Sequence, residues 1–473
     1  MTLGGRPPSL AAEAVERAFD RASGSRPIPG NRVSLLFDGP LAFEAMLALI
    51  AGAERWIHFD NYIFRSDRTG TRFAEALAER ARAGIKVRVS VDWLGCIGTK
   101  RSVWQILESA GVSLRFFHRP GLVDLGSIVS RNHRKLVVAD GRRAMLGGFC
   151  IGDEWAGDAA LGRLPWRDTA IAVDGPAAAA LDQAFARTWA LGAEPLPDGE
   201  LAGEVEACGS AFVRVLAGEP ATERAYRVTE LLLATAAERV WVTDAYLVAP
   251  RRLYRYLVDA AQEGVDVRLL VPGTSDIPLV RNLTRFGYRD LIRSGVRIYE
   301  WTGPMLHAKT VVAEGRWVRV GSSNLNHSSL ISNYELDVLV DAPDLASEME
   351  AQFRRDLEAS AEVTTRPIRG AGRLTTVFPP ALAIRAPGHL KSRQPRGVRE
   401  RGGRSMLAMR TLVAGARMAL FAPLSFGLGV VGLLFFVLPR PMAITFGSLS
   451  VWLAIVAGAE ALRRRRENAG PGR

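Results

Sequence analysis

Two short segments place an imidazole and an ammonium two residues apart and follow them with an acid. They are His133-Arg134-Lys135 with Asp140, and His307-Ala308-Lys309 with Glu314, and both read His-x-Lys-x4-acid. In an extended chain residues i and i+2 share a face, so each imidazole is expected to stand beside its lysine. Imidazole serves as nucleophile or as general acid and base near neutral pH. A compact ammonium beside it suits a reaction centre that carries negative charge, a phosphoryl group above all.

Composition strengthens that reading. Only Lys86, Lys100, Lys135, Lys309 and Lys391 among the 61 basic residues are lysine, and two of the five fall in these motifs. With six histidines in the chain, random placement would give on the order of 0.1 His-x-Lys pairs. A turn of small residues follows each motif, Gly147-Gly148-Phe149-Cys150 in one case and Gly321-Ser322-Ser323-Asn324 in the other. Small residues let backbone N–H groups approach an anion, which makes Gly148, Ser322 and Asn324 candidate phosphate contacts. Further on, Asp168 and Glu335 each open an apolar strand. A carboxylate on the Nδ1 side of an imidazole fixes its tautomer, so these two are candidate orienting groups for the histidines.

The motifs sit in an internal duplication. Glu54-Arg55-Trp56-Ile57-His58-Phe59-Asp60-Asn61-Tyr62 recurs as Glu238-Arg239-Val240-Trp241-Val242-Thr243-Asp244-Ala245-Tyr246, and Gly84-Ile85-Lys86-Val87-Arg88-Val89 as Gly264-Val265-Asp266-Val267-Arg268-Leu269. Helical periodicity alternates with β-rich runs in each copy, which predicts an α/β body of two mixed-sheet halves related by a pseudo-twofold. The halves are expected at residues 31–200 and 205–365, after a polar N-terminal segment over 1–30 that lacks a signal peptide's apolar core.

The formal charge of +12 is unevenly distributed. From Lys391 to Arg473 there are 14 Lys or Arg and three Glu, a net +11 that leaves the body at +1. A near-neutral body argues against a nucleic-acid groove, and no nucleic-acid partner is expected. Residues 366–410 read as a basic Pro/Gly-rich linker suited to an anionic membrane surface. Met418–Leu438 and Met442–Ala459 are charge-free runs of 21 and 18 residues joined through Pro439-Arg440-Pro441. Each is long enough to cross about 30 Å of hydrocarbon, so two transmembrane helices are expected within 411–462, with a basic tail over 463–473. Arginine clusters on both flanks place the body on the cytoplasmic side. Three cysteines without framework spacing, Cys96, Cys150 and Cys208, argue against disulfides and a structural zinc site.

The paired motifs resemble the signature of the phospholipase D superfamily, and the surrounding text is similar to bacterial cardiolipin synthases. The likeness runs through Leu-Leu-Phe-Asp-Gly at 35–39, Ile-Gly-Asp-Glu-Trp at 151–155, Leu-Val-Pro-Gly-Thr-Ser-Asp at 270–276, Met-Leu-His-Ala-Lys-Thr at 305–310 and Gly-Ser-Ser-Asn at 321–324. The resemblance implies a duplicated phospholipase D-like body with one active site at the pseudo-twofold interface and no cofactor or metal. It also implies a bacterial cytoplasmic-membrane setting and a phosphatidyl group moved between phosphatidylglycerol molecules through a phosphohistidine. His133 is then expected as nucleophile and His307 as acid and base. Lys135, Lys309 and Asn324 would neutralise the phosphoryl oxygens, while Asp140 and Glu314 complete the catalytic signature. Where the family's first turn ends in Asn this chain has Cys150, a weak donor. The alternatives are hydrolysis of a phospholipid by the same covalent route, further off a nucleic-acid phosphodiesterase, and a non-catalytic membrane scaffold, for which Cys150 speaks while both intact His-x-Lys pairs speak against it. His58, His118, His327 and His389 have no motif partner and are expected to be structural or surface groups.

Overall fold

The computed structural model describes residues 10–117, 130–192, 194–364 and the pair 383–384. The expected linker, transmembrane hairpin and basic tail lie outside the described residues, as do His118 and His389. Among the described residues no helix is long and apolar enough to cross a membrane.

The first half supplies strands β1 (Ile28–Phe37), β2 (Trp56–Asn61), β3 (Lys86–Asp92), β4 (Ser113–Phe117), β5 (Leu136–Ala139), β6 (Arg143–Gly147) and β7 (Thr169–Asp174). The second supplies β8 (Ala211–Gly218), β9 (Arg239–Thr243), β10 (Asp266–Pro272), β11 (Arg297–Trp301), β12 (Thr310–Ala313), β13 (Trp317–Gly321), β14 (Glu335–Asp341) and β15 (Ser360–Thr364), with a short β16 (Ala383–Ile384). They form one sheet in the order β16-β15-β11-β10-β9-β12-β13-β14-β8-β1-β7-β6-β5-β2-β3-β4. Read outward from the β8–β1 junction, the two arms run β1-β7-β6-β5-β2-β3-β4 and β8-β14-β13-β12-β9-β10-β11. Each strand of one arm has its repeat equivalent at the same place in the other, so the duplication is spatial and the twofold passes between β1 and β8. In both arms three parallel strands adjoin an antiparallel ladder, which makes each half a mixed sheet.

The period-2 alternation of the strands distributes side chains between layers. Leu136 and Val138 of β5 enter a central core with Val312 of β12 and the helices Pro176–Ala190 and Pro343–Glu358. Val137 and Ala139 face a separate outer core of the first half, and Val311 and Ala313 face that of the second. The two sheet arms thus bury one face against shared helices, which locks the halves together along the line where the motifs lie.

The N-terminal segment holds more than its polarity suggests. Leu10–Ser23 is a helix whose Phe19 and Ala22 are buried in the second half's core. Phe19 stacks on Trp317 at 5.2 Å, and buried Arg214 pairs with Glu16 and Asp20.

Candidate active site

Both His-x-Lys segments lie just before a strand, His133 to Lys135 ahead of β5 and His307 to Lys309 ahead of β12, where the chain is extended but outside the ladders. The lysines therefore do more than share a face with the histidines. Lys135 Nζ turns back to donate to the His133 carbonyl at 2.5 Å, and Lys309 does the same to the His307 carbonyl. Each extended segment pairs with the other half of the body. His133 N donates to the Tyr334 carbonyl at 2.9 Å, and Tyr334 N returns a bond to Arg131 at 2.8 Å. In the same way His307 N donates to Arg167 at 2.7 Å and Arg167 N to Met305 at 2.9 Å.

That exchange decides which carboxylate meets which imidazole. Glu335 Oε2 lies 2.9 Å from His133 Nδ1, and Asp168 Oδ2 lies 2.8 Å from His307 Nδ1. An ionised carboxylate only accepts, so Nδ1 carries the proton in both rings and Nε2 is left with its lone pair for chemistry. Burial works to raise the Asp168 carboxyl, but His307, Lys309 and the Thr169 N–H together hold it below its usual range. Glu335 is likewise held down against its burial by His133, Lys135 and the Ser322 hydroxyl. Burial pushes His307 down to about 3, with Lys309 adding and Asp168 opposing. His133 is lowered as well, burial again leading and Glu335 opposing. Lys309 is lowered to about 8, burial first, with Lys135 pushing in the same direction. The crossed backbone and carboxylate contacts bring the two motifs together, and each motif's lysine works to lower the other's histidine.

Four expected site residues have other duties. Asp140 and Glu314 stand at the far ends of β5 and β12 from the histidines and take no part in the site. Asp140 accepts from the backbone N–H groups of Glu54, Arg55 and Trp56 at 2.9, 2.7 and 3.0 Å, and Glu314 from those of Glu238 and Arg239 at 2.9 Å. Both sit at positive φ, 58° and 57°, in the tight turn to the next strand. Nor are Gly148 and Ser322 free to cradle phosphate, because Gly148 N donates to Thr169 at 3.2 Å and Ser322 N to Leu336 at 3.1 Å. What they serve are the orienting carboxylates. The Ser322 hydroxyl donates to Glu335 Oε2 at 2.5 Å, and a Cβ on Gly148 would come within 2.0 Å of Asp168 Oδ1. Asn324 keeps an amide N–H available for its expected task. It is buried, its Oδ1 has no partner, and its Nδ2 makes only a long 3.5 Å contact to Ser329.

Aromatic walls complete the site, and the motifs alone gave no sign of them. The Tyr62 ring meets His133 at 4.9 Å and lies 5.2 Å from Lys135 Nζ. Tyr246 takes the equivalent place at 6.0 Å from His307 and 5.8 Å from Lys309 Nζ. Their shared Asp-x-Tyr spacing at 60–62 and 244–246 was the available signal. Trp155 and Trp166 add two rings at 5.4 and 5.8 Å from His307, and the Trp155 indole N–H donates to Asp168 Oδ2 at 3.2 Å. Cys150 is buried and feels both motif lysines, and burial pushes its thiol up. His58, by contrast, is a core residue held by Asp182 at 2.6 Å and stacked on Phe185.

A family model described as "Cardiolipin synthase, PLD-like domain" matches residues 231–357. The chain is 33% identical over 374 residues to cardiolipin synthase A of Pseudomonas aeruginosa (strain LESB58), covering 77% of this chain and 76% of that one. It is 31% identical to cardiolipin synthase A of Pseudomonas entomophila (strain L48), with 76% of each covered. Among solved structures, phosphatidylserine synthase of Haemophilus influenzae Rd KW20 superposes with a TM-score of 0.58 over 74% of this chain and 92% of that one, at 13% identity. This last likeness concerns the fold alone.

Proposed function

The chain belongs to the cardiolipin synthase family of phospholipase D-like phosphatidyltransferases, and from that membership we propose that it joins two phosphatidylglycerol molecules into cardiolipin with release of glycerol. The observation that carries the reading is the crossed pair of imidazole–carboxylate contacts, His133 with Glu335 and His307 with Asp168, inside one lysine-flanked site. One imidazole attacks phosphorus through Nε2, the P–O bond to glycerol breaks, and the second imidazole delivers a proton to the departing oxygen. The same second imidazole then removes the proton from a hydroxyl of the incoming phosphatidylglycerol, whose oxygen displaces the histidine and restores the site. Lys135, Lys309 and Asn324 neutralise the non-bridging oxygens as charge develops.

We assign attack to His133, which among the described residues meets one aromatic ring, and proton transfer to His307, which is enclosed by three. Burial holds His307 down at about 3, so it must gain its proton as the anionic phosphodiester arrives beside it. In this reading the halves 31–200 and 205–365 each supply one motif, and the charge-free runs after residue 410 hold the body at the cytoplasmic face of the membrane. The test is a lipid profile of a cardiolipin-free bacterial host expressing the protein or its His133→Ala and His307→Ala variants. Cardiolipin made by the intact protein and absent with both variants is expected. Phosphatidic acid in its place would mean that water is the acceptor.

A further inference from the structure

Seven of the eleven large apolar side chains exposed among the described residues fall in three segments: Leu94 and Ile97, Leu161 and Leu164, and Ile277, Leu283 and Phe286. They are between 43 and 70% exposed. A folded chain rarely leaves such groups in water together unless something covers them. All three segments are linked to the catalytic histidines directly or through one intervening residue. The first follows Asp92, whose carboxylate accepts from Asn132 N, one residue before His133, at 3.0 Å. The second leads into Trp166, which packs on His307 at 5.8 Å. The third follows Asp276, which accepts from the hydroxyl of Tyr246, the ring beside His307, at 2.8 Å. The apolar groups therefore stand on segments anchored beside the site, and both halves contribute.

The helix Pro278–Phe286 shows the pattern most clearly. Leu283 and Phe286 stand three residues apart, hence on one face, yet both are exposed. Arg285 is turned inward to Glu300 at 2.6 and 2.7 Å. An amphipathic helix that holds its polar group to the body and its apolar face outward is built for an interface. Lys100, Arg101, Arg163, Arg289 and Arg293 are exposed on or directly beside the same segments and outnumber the exposed acids there, Asp276 and Asp290, which gives the rim an excess of the charge that anionic headgroups attract.

We propose that this rim is a bilayer-docking surface: the three segments enter the headgroup region of an anionic phospholipid membrane and seat the site's mouth over its substrate. The inference rests on the reading of the substrate as a membrane phospholipid. It adds a contact that is separate from any anchor after residue 390 and that sets the orientation of the catalytic body.

The test uses the full chain in phosphatidylglycerol-containing vesicles. Cys208, the exposed thiol, is replaced by serine, and an environment-sensitive fluorophore is placed at Phe286→Cys, Leu164→Cys or Phe212→Cys. Phe212 is also exposed but lies at the opposite end of β8 from Gly218, which pairs with Glu335. Lipids brominated on the acyl chains should quench the label at 286 and 164 and leave 212 unquenched. Leu164→Asp with Phe286→Asp should raise KM for vesicle phosphatidylglycerol about tenfold and leave turnover of a monomeric short-chain phosphatidylglycerol within about twofold. Unquenched labels at 286 and 164, or equal losses on both substrates, would overturn the docking surface. A wild-type chain that turns over no phospholipid would defeat the transferase reading alone, because the labels report on docking without catalysis.

Discussion

Glu335 Oε2 lies 2.9 Å from His133 Nδ1 although 202 residues and the boundary between the halves separate them. Asp168 stands in the same relation to His307 at 2.8 Å across 139 residues. Neither half can therefore form a complete histidine–carboxylate pair alone.

Glu335→Gln and Asp168→Asn keep the shape of each carboxylate and remove the charge that fixes the Nδ1–H tautomer. Each should lower kcat by about 10²–10⁴ with little change in fold. Circular dichroism beside turnover of phosphatidylglycerol checks this, and wild-type turnover in either variant would show that the carboxylate does not orient its histidine.

Gly148→Ala tests the packing beneath Asp168. The added methyl would lie 2.0 Å from an Asp168 oxygen that cannot retreat, since the carboxylate is tied to His307, Trp155 and the Thr169 N–H. Turnover should fall at least about 10²-fold through the displaced orienting group, while Gly203→Ala, with nothing within 4 Å of its Cβ and no left-handed backbone to strain, should leave turnover intact.

Asp140→Ala and Glu314→Ala should separate stability from chemistry. Each unpairs two or three backbone N–H groups far from the site, at a cost of about 1–3 kcal/mol. The melting temperature should drop by a few degrees while kcat of the folded protein stays the same, and loss of kcat without loss of stability would return these acids to the catalytic set.

His307 predicts two effects of pH. Its ordinary value of 6.5 falls to about 3 in the folded protein, so between those limits the unfolded chain binds a proton that the folded chain refuses. Stability is full above about 6.5 and falls as the pH drops toward 3, and the lowered Asp168 carboxyl works in the same direction. Denaturant titrations at pH 7 and pH 5 should show that loss, and His307→Gln should reduce it. Binding of vanadate or another phosphate mimic should also draw in a proton near neutral pH, seen as a buffer-dependent heat in calorimetry; identical heats in all buffers would contradict proton uptake by His307.

The expected chemistry was legible in the chain, because the duplication placed His133 with Lys135 and His307 with Lys309 at equivalent positions and an α/β alternation around them. The sequence also named Asp168, Glu335 and Asn324, whose residue types suit their places. The pairing between halves was beyond it, since sequence spacing cannot say which strand crosses the twofold: it is the exchange of backbone bonds between 131–133 and Tyr334, and between 305–307 and Arg167, that carries each carboxylate to the opposite imidazole. The tertiary structure likewise moved Asp140 and Glu314 out of the site, because an extended β5 or β12 carries the chain away from the histidine before the acid is reached. It brought Tyr62, Tyr246, Trp155 and Trp166 around the imidazoles. Chemistry local to a few residues is written in the chain, whereas the walls, the partners and the protonation states depend on burial and on contacts between segments far apart in it.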